Sequence, residues 1–165
     1  MTTEQIPAAS LSDPRVENVR AALKAAGLED TVVVVPDSVA TAATAAAVLG
    51  CEVAAIANSL IFECDGAPLL IVASGAGKVN VKLLALEQGL GKISRADHDF
   101  VLRYAGQPVG GVAPLGHPAP IRTFLDTDLA AHSRLWAGAG SHQAMLSLSY
   151  HELLAVTGAT EAVVR

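Results

Sequence analysis

The spacing of apolar residues changes period several times along this chain, and each change marks a predicted element. Asp13 followed by Pro14 supplies a capping carboxylate and then a proline at the first helical position. Val16, Val19, Leu23 and Ala26 fall on one helical stripe, and Gly27 suits the C-terminal cap. Residues 1–30 are therefore expected to form an N-terminal helical segment. The β-branched run at 31–35 predicts a buried strand, and the alanine-rich stretch 41–49, closed by Gly50, predicts a helix.

Two longer apolar runs follow, at 58–64 and 68–74, joined by Asp65, Gly66 and Ala67. Asp-Gly between such runs predicts a hairpin, because glycine accepts the positive φ of the turn. The pattern then predicts a helix over 80–88, a short strand over 92–95 and a helix over 97–105. Beyond residue 117 it predicts a strand over 121–126, a helix over 129–136 and a strand over 143–148. Ser149 and Glu152 form a capping box that opens a last helix ending at Gly158. With no repeat, linker or low-complexity tract, residues 1–165 read as one α/β domain in which hairpins and helices mix.

Between these elements lies a segment of a different kind, Gly106-Gln-Pro-Val-Gly-Gly-Val-Ala-Pro-Leu-Gly-His117. Its glycines permit positive φ and close backbone approach, while its prolines fix φ and remove donors. Such a loop presents peptide groups to a ligand rather than side chains. The composition, 52% hydrophobic and only 4% aromatic, suits a tightly packed core rich in small residues. No apolar run reaches the ~18 residues of a membrane span, and Met1 to Gln5 lack the basic and apolar regions of a signal peptide. A soluble cytoplasmic protein is the expectation. The net charge of −5, with scattered cations, argues against a partner nucleic acid held along its length.

The candidate chemistry from residue types alone is sparse. Cys51 and Cys64 have neither disulfide context nor metal-ligand spacing, and the five histidines form no HxxxH or HExxH pattern, so no metal is expected. Cys51 has no neighbour that would lower its pKa. Ser59 has no nucleophile elbow around it. Asp126 and Asp128 read as helix caps. His117 closes the glycine-rich loop, at the mouth of a pocket or in solvent. Lys78 and Lys82 flank a helix start, as a solvated face or as point charges for a phosphate.

The order of the motifs carries more than any one of them. Thr41-Ala-Ala-Thr-Ala-Ala-Ala-Val-Leu-Gly50, Ile56-Ala-Asn-Ser-Leu-Ile-Phe62 and Pro68-Leu-Leu-Ile-Val-Ala-Ser-Gly75 stand in sequence. Val79-Asn-Val-Lys-Leu-Leu84, Val109-Gly-Gly-Val-Ala-Pro-Leu-Gly116 and the final capped helix follow. Together they resemble the YbaK/ProX family, the aminoacyl-tRNA deacylases related to the editing domain of bacterial prolyl-tRNA synthetase. The most specific shared element is Gly110-x-x-x-Pro114.

The resemblance implies a mixed, curved, barrel-like sheet surrounded by helices. It implies a trans-acting hydrolase that cleaves the ester of a small amino acid from a mischarged, prolyl-type tRNA without a cofactor. Its partners would be the tRNA acceptor end and prolyl-tRNA synthetase. Backbone groups of the Gly-x-x-x-Pro loop would position ester and water with help from a tRNA hydroxyl, so no side-chain nucleophile is needed. Carried onto this chain, the site comprises Asn58, Gly110 and Pro114 for catalysis. Gly111, Val112, Ala113, His117, Ser59 and Lys82 would bind the substrate. One position departs from the family pattern: its lysine before Ser-Leu-Ile-Phe is Asn58 here, a neutral amide in place of a charge. Two functions follow, a deacylase with an altered site or a module that binds aminoacyl-tRNA or a synthetase without turnover.

Overall fold

The structure, a computed structural model, describes residues 6–7, 13–36 and 41–165. The expected N-terminal segment contains a short strand β1 (Ile6–Pro7) and helix α1 (Pro14–Ala25); the remainder of 1–12 lies outside the described residues. The Asp13 carboxylate accepts from the N–H of Arg15, and Pro14 opens the helix. Val16, Val19 and Leu23 are its buried stripe.

The chain continues through β2 (Val33–Val34), α2 (Ala42–Leu49), β3 (Ile56–Cys64) and β4 (Ala67–Ser74). Next come α3 (Val81–Gln88), β5 (Ile93–Arg95), α4 (His98–Ala105) and β6 (Arg122–Asp126). The series ends with β7 (Leu135–Gly138), β8 (Ala144–Leu148), α5 (Tyr150–Thr157) and β9 (Thr160–Ala162). The strands form one mixed sheet in the order β1-β2-β8-β7-β3-β4-β6-β9, with β5 also paired to β3. The expected mixed α/β class is borne out. Pairs β3–β7, β4–β6 and β6–β9 are parallel, and the rest are antiparallel.

Strand β4 shows why its sequence lacks polar alternation. Leu69, Ile71 and Ala73 pack with Phe124, Leu84 and Ile93 on one face, while Leu70 and Val72 join the main cluster with α1, α4 and α5 on the other. A strand covered on both sides reads as a continuous apolar run. The hairpin to β3 is a two-residue turn in which Asp65 (φ 53°) and Gly66 (φ 80°) are both left-handed. Ala67, expected in the turn, instead pairs with Cys64.

The helix expected over 129–136 does not form. A 3-10 turn, Thr127–Ala131, is capped by Asp126 and gives way to strand β7. Leu135 and Ala137 point into the core while Trp136 and Gly138 are only half-buried, a period of two that a short helical reading cannot distinguish. Parallel pairing of Ile56 with Trp136 and Ala57 with Ala137 decides the matter. Strand β9 was not expected from the pattern; it pairs with β6 directly after the Gly158 cap.

Candidate active site

The site begins with an interruption in the middle of the sheet. One edge of β3 pairs with β4 from Ala57 to Cys64. On the other edge β7 covers only Ile56 and Ala57, and β5 covers only Phe62 to Cys64. Asn58, Ser59, Leu60 and Ile61 therefore have no strand partner on that edge among the described residues. Peptide groups left unpaired at a strand edge need another partner, whether water, another chain or a ligand.

The glycine-rich loop borders the same space as this stretch. Gly110 and Val112, with Ser59 and Leu60, line two adjoining cavities of about 260 and 270 Å³. The first is bounded by Thr41, Ala42 and Ala45 at the start of α2, by Asn58, and by Gly138 and Met145. Its small alanine side chains leave the space open. The second runs towards β5 and α4 and is bounded by Phe62, Arg95, Val101 and Val109.

Internal hydrogen bonds shape the loop. The Gly111 N–H donates to the Pro108 carbonyl at 2.9 Å across a turn whose third residue, Gly110, has φ 90°. That position of a type II turn requires glycine. The fully buried Gln107 amide braces the inside: its Oε1 accepts from the Ala113 N–H at 2.7 Å, and its Nε2 donates to the Leu115 carbonyl at 3.2 Å. The Gly140 N–H donates to the Gly111 carbonyl at 2.8 Å and ties the loop to the end of β7. The N–H groups of Gly110 and Val112 have no protein acceptor among the described residues.

The structure thus brings Asn58, Ser59, Gly110 and Val112 together. Gly111 and Ala113 are buried on the inner side of the loop, where they hold its shape. Pro114 and His117 line a separate cavity of about 350 Å³ beside α1 and α5. His117 Nε2 lies 2.8 Å from the Ala113 carbonyl, and burial lowers its pKa although that hydrogen bond works the other way. Lys82 is exposed on α3 and, like Lys78, borders none of these cavities.

Neither cysteine borders the cavities, and burial raises the Cys51 pKa, which disfavours its thiolate. Asp126 caps the 3-10 turn by accepting from the Asp128 N–H at 2.9 Å, and it is also paired with Arg165 at 2.8 Å. Among the described residues no cluster of His, Cys, Asp and Glu could hold a metal, and no helix is long and apolar enough to cross a membrane.

Sequence reasoning missed Gln107 and Arg95. Gln107 carried a usable signal, as a single amide inside a loop otherwise made of small, apolar and proline residues. Arg95 carried none, since only the β5–β3 pairing brings it to the cavity.

Residues 36–156, most of the chain and all of this site, match the model of the aminoacyl-tRNA editing domain family. The chain belongs to that family. The editing domain is 32% identical over 117 residues to the uncharacterized protein YwhH of Bacillus subtilis (strain 168), covering 70% of this chain and 74% of YwhH. It is 26% identical over 96 residues to the proline–tRNA ligase of Geobacter sp. (strain M21), covering 58% of this chain and 17% of the ligase. Among solved structures, one described as a "putative trans-editing enzyme for prolyl tRNA synthetase" superposes with a TM-score of 0.87 at 33% identity. That match covers 93% of this chain and 98% of the other. The hypothetical protein APE2540 superposes with a TM-score of 0.81 at 30% identity.

Proposed function

We propose that this editing domain is a trans-acting aminoacyl-tRNA deacylase, hydrolysing the ester of a small amino acid on a mischarged, prolyl-type tRNA. The observation that carries this reading is that Gly110 and Val112, with free N–H groups, line the same cavities as the unpaired stretch of β3. In an ester hydrolysis, water adds to the carbonyl carbon and negative charge develops on the carbonyl oxygen. Fixed donors that need not reorganise lower the energy of that oxyanion. The free N–H groups of Gly110 and Val112 are such donors. The tRNA's own ribose hydroxyl would assist the water, and the ribose oxygen leaves with a proton. Asn58 would orient the ribose through neutral hydrogen bonds where the family pattern has a lysine.

Such an enzyme meets a need that binding alone does not. A single methylene is worth only about 1–3 kcal/mol to a binding pocket, so synthetases mischarge small amino acids and a second sieve removes them. Its partners would be the tRNA acceptor end and prolyl-tRNA synthetase. The test is a panel of alanyl-, cysteinyl- and seryl-tRNA incubated with purified protein. Accelerated decay of at least one supports the reading, and decay of all at the uncatalysed rate overturns it. The second reading, a binding module without turnover, rests on Asn58 alone. A non-hydrolysable aminoacyl-adenosine analogue that binds while no tRNA is deacylated would favour it.

A further inference from the structure

We propose that the second cavity is a phosphate subsite, in which Arg95 receives the 5′-phosphate of the terminal nucleotide while the aminoacyl ester occupies the first. This rests on the deacylase reading of the same groove and assigns its other half. The two cavities share Ser59, Leu60, Gly110 and Val112 as lining and so form adjoining halves of one groove. Among the described residues, Arg95 is the only cationic side chain that borders either half.

Five of the other six arginines are engaged by neighbours within the fold; only Arg15, which borders neither half of the groove, shares the state of Arg95. Arg20 is held by Asp30 and Glu17, Arg134 by the Ser147 hydroxyl, and Arg165 by Asp126 and Asp128. Arg103 and Arg122 lie over the rings of Tyr104 and Phe124. Arg95 has no hydrogen bond, ion pair or ring contact among the described residues. Its backbone is nevertheless fixed, because β5 pairs it opposite Phe62 at the far end of the interruption in the sheet.

A second, independent observation lies at the junction. The Ser59 hydroxyl is buried and has no hydrogen-bond partner. Leaving a buried hydroxyl unsatisfied is costly, and such groups in native folds call for an explanation such as a ligand. Ser59 lies on the wall common to both halves, where the sugar joining an ester to a phosphate would pass.

The chemistry of the ligand fixes its direction. An aminoacyl-nucleotide end carries an ammonium beside its ester and an anionic phosphate on the far side of the ribose. Arg95 would repel the ammonium and attract the phosphate, for which a guanidinium offers paired donors. The ester half, lined by the neutral Asn58 and by peptide groups, has no such conflict. Val109, 49% exposed on the rim of the Arg95 half, offers an apolar surface beside the nucleoside. A single phosphate contact also suits a chain of net charge −5, which has little capacity to hold a longer polyanion.

The experiment measures binding of two non-hydrolysable probes by calorimetry, 3′-alanylamido-adenosine with and without a 5′-phosphate. Wild-type protein is expected to bind the phosphorylated probe about tenfold more tightly or better. Arg95→Ala should abolish that preference while leaving affinity for the unphosphorylated probe unchanged, and Arg95→Lys should restore part of it. Ser59→Ala should weaken both probes by the same factor. Equal affinity of wild-type protein for the two probes, no binding of either, or a preference that survives in Arg95→Ala would each overturn the proposal. Deacylation of alanyl-tRNA measured in parallel separates this outcome from failure of the deacylase reading: intact turnover with no phosphate preference removes the subsite alone.

Discussion

Replacing Gly110 and Gly111 by alanine, one at a time, separates the function of the loop from its folding. At Gly110 an added Cβ meets nothing within 4 Å, so the only penalty is a left-handed φ of 90°. That costs about 1–2 kcal/mol for an L-residue. At Gly111 an added Cβ would lie 2.7 to 2.9 Å from the backbone of Ser141 and His142, atoms that cannot rotate away. Overpacking of this kind costs about 1–3 kcal/mol, and losing the bond from the Gly140 N–H to the Gly111 carbonyl adds about 1–2 kcal/mol. Gly111→Ala should therefore lose about 2–5 kcal/mol in urea unfolding, and Gly110→Ala the smaller amount of about 1–2 kcal/mol. Activity should follow a different order. The methyl group of Gly110→Ala stands in the cavity wall beside the free N–H, where misplacement of about 1 Å costs on the order of 100-fold in rate. A folded Gly110→Ala protein with deacylation kcat/KM within tenfold of wild type would refute this account of the loop. So would a stability loss as large as that of Gly111→Ala.

Gln107→Ala should destabilise the protein by about 2–3 kcal/mol, because it leaves the Ala113 N–H and the Leu115 carbonyl buried without partners; thermal unfolding measures this. His117 is held neutral by burial, so its folded pKa lies below that of the unfolded chain. Its contribution is complete above the unfolded value of about 6.5 and is lost as pH falls through that value towards the folded one. Urea unfolding as a function of pH should thus show a decline below about pH 6.5 that is shallower in His117→Gln. Asn58→Lys places a charge in the ester half of the groove; deacylation kinetics should show a lower KM or a higher kcat if the natural asparagine is a weakened form of the family's lysine. Unchanged or reduced activity would make Asn58 part of a working site as it stands.

Much of the fold was legible because each local signal agreed with the final structure. The caps at Asp13, Thr41, Asn80, Asp97 and Ser149 all start helices, and Asp65-Gly66 makes the hairpin turn. Strand β7 was misread because four residues do not reveal their period, and only the long-range partner β3 makes them a strand. The site was legible where it is backbone. The loop's richness in glycine and proline announced it, and Gly110 uses that freedom with a φ of 90°. The division of that loop between two sides of the molecule was not legible. Gly110 and Val112 face the groove, whereas Pro114 and His117 turn towards α1 and α5, and nothing in the spacing of Gly-x-x-x-Pro predicts which way each residue points. Arg95 was hidden for a related reason: the interruption in β3 that places it beside the groove is a property of strand pairing.

The central claim is that peptide groups of the Gly110–Val112 segment hydrolyse an aminoacyl ester without a side-chain nucleophile. Single-turnover deacylation of alanyl-tRNA tests it most directly, comparing wild-type protein, Cys51→Ser and Gly110→Val. The account predicts equal, accelerated decay with wild type and Cys51→Ser, and decay at the uncatalysed rate with a folded Gly110→Val protein. Acceleration that persists in Gly110→Val, or is lost in Cys51→Ser, would contradict it.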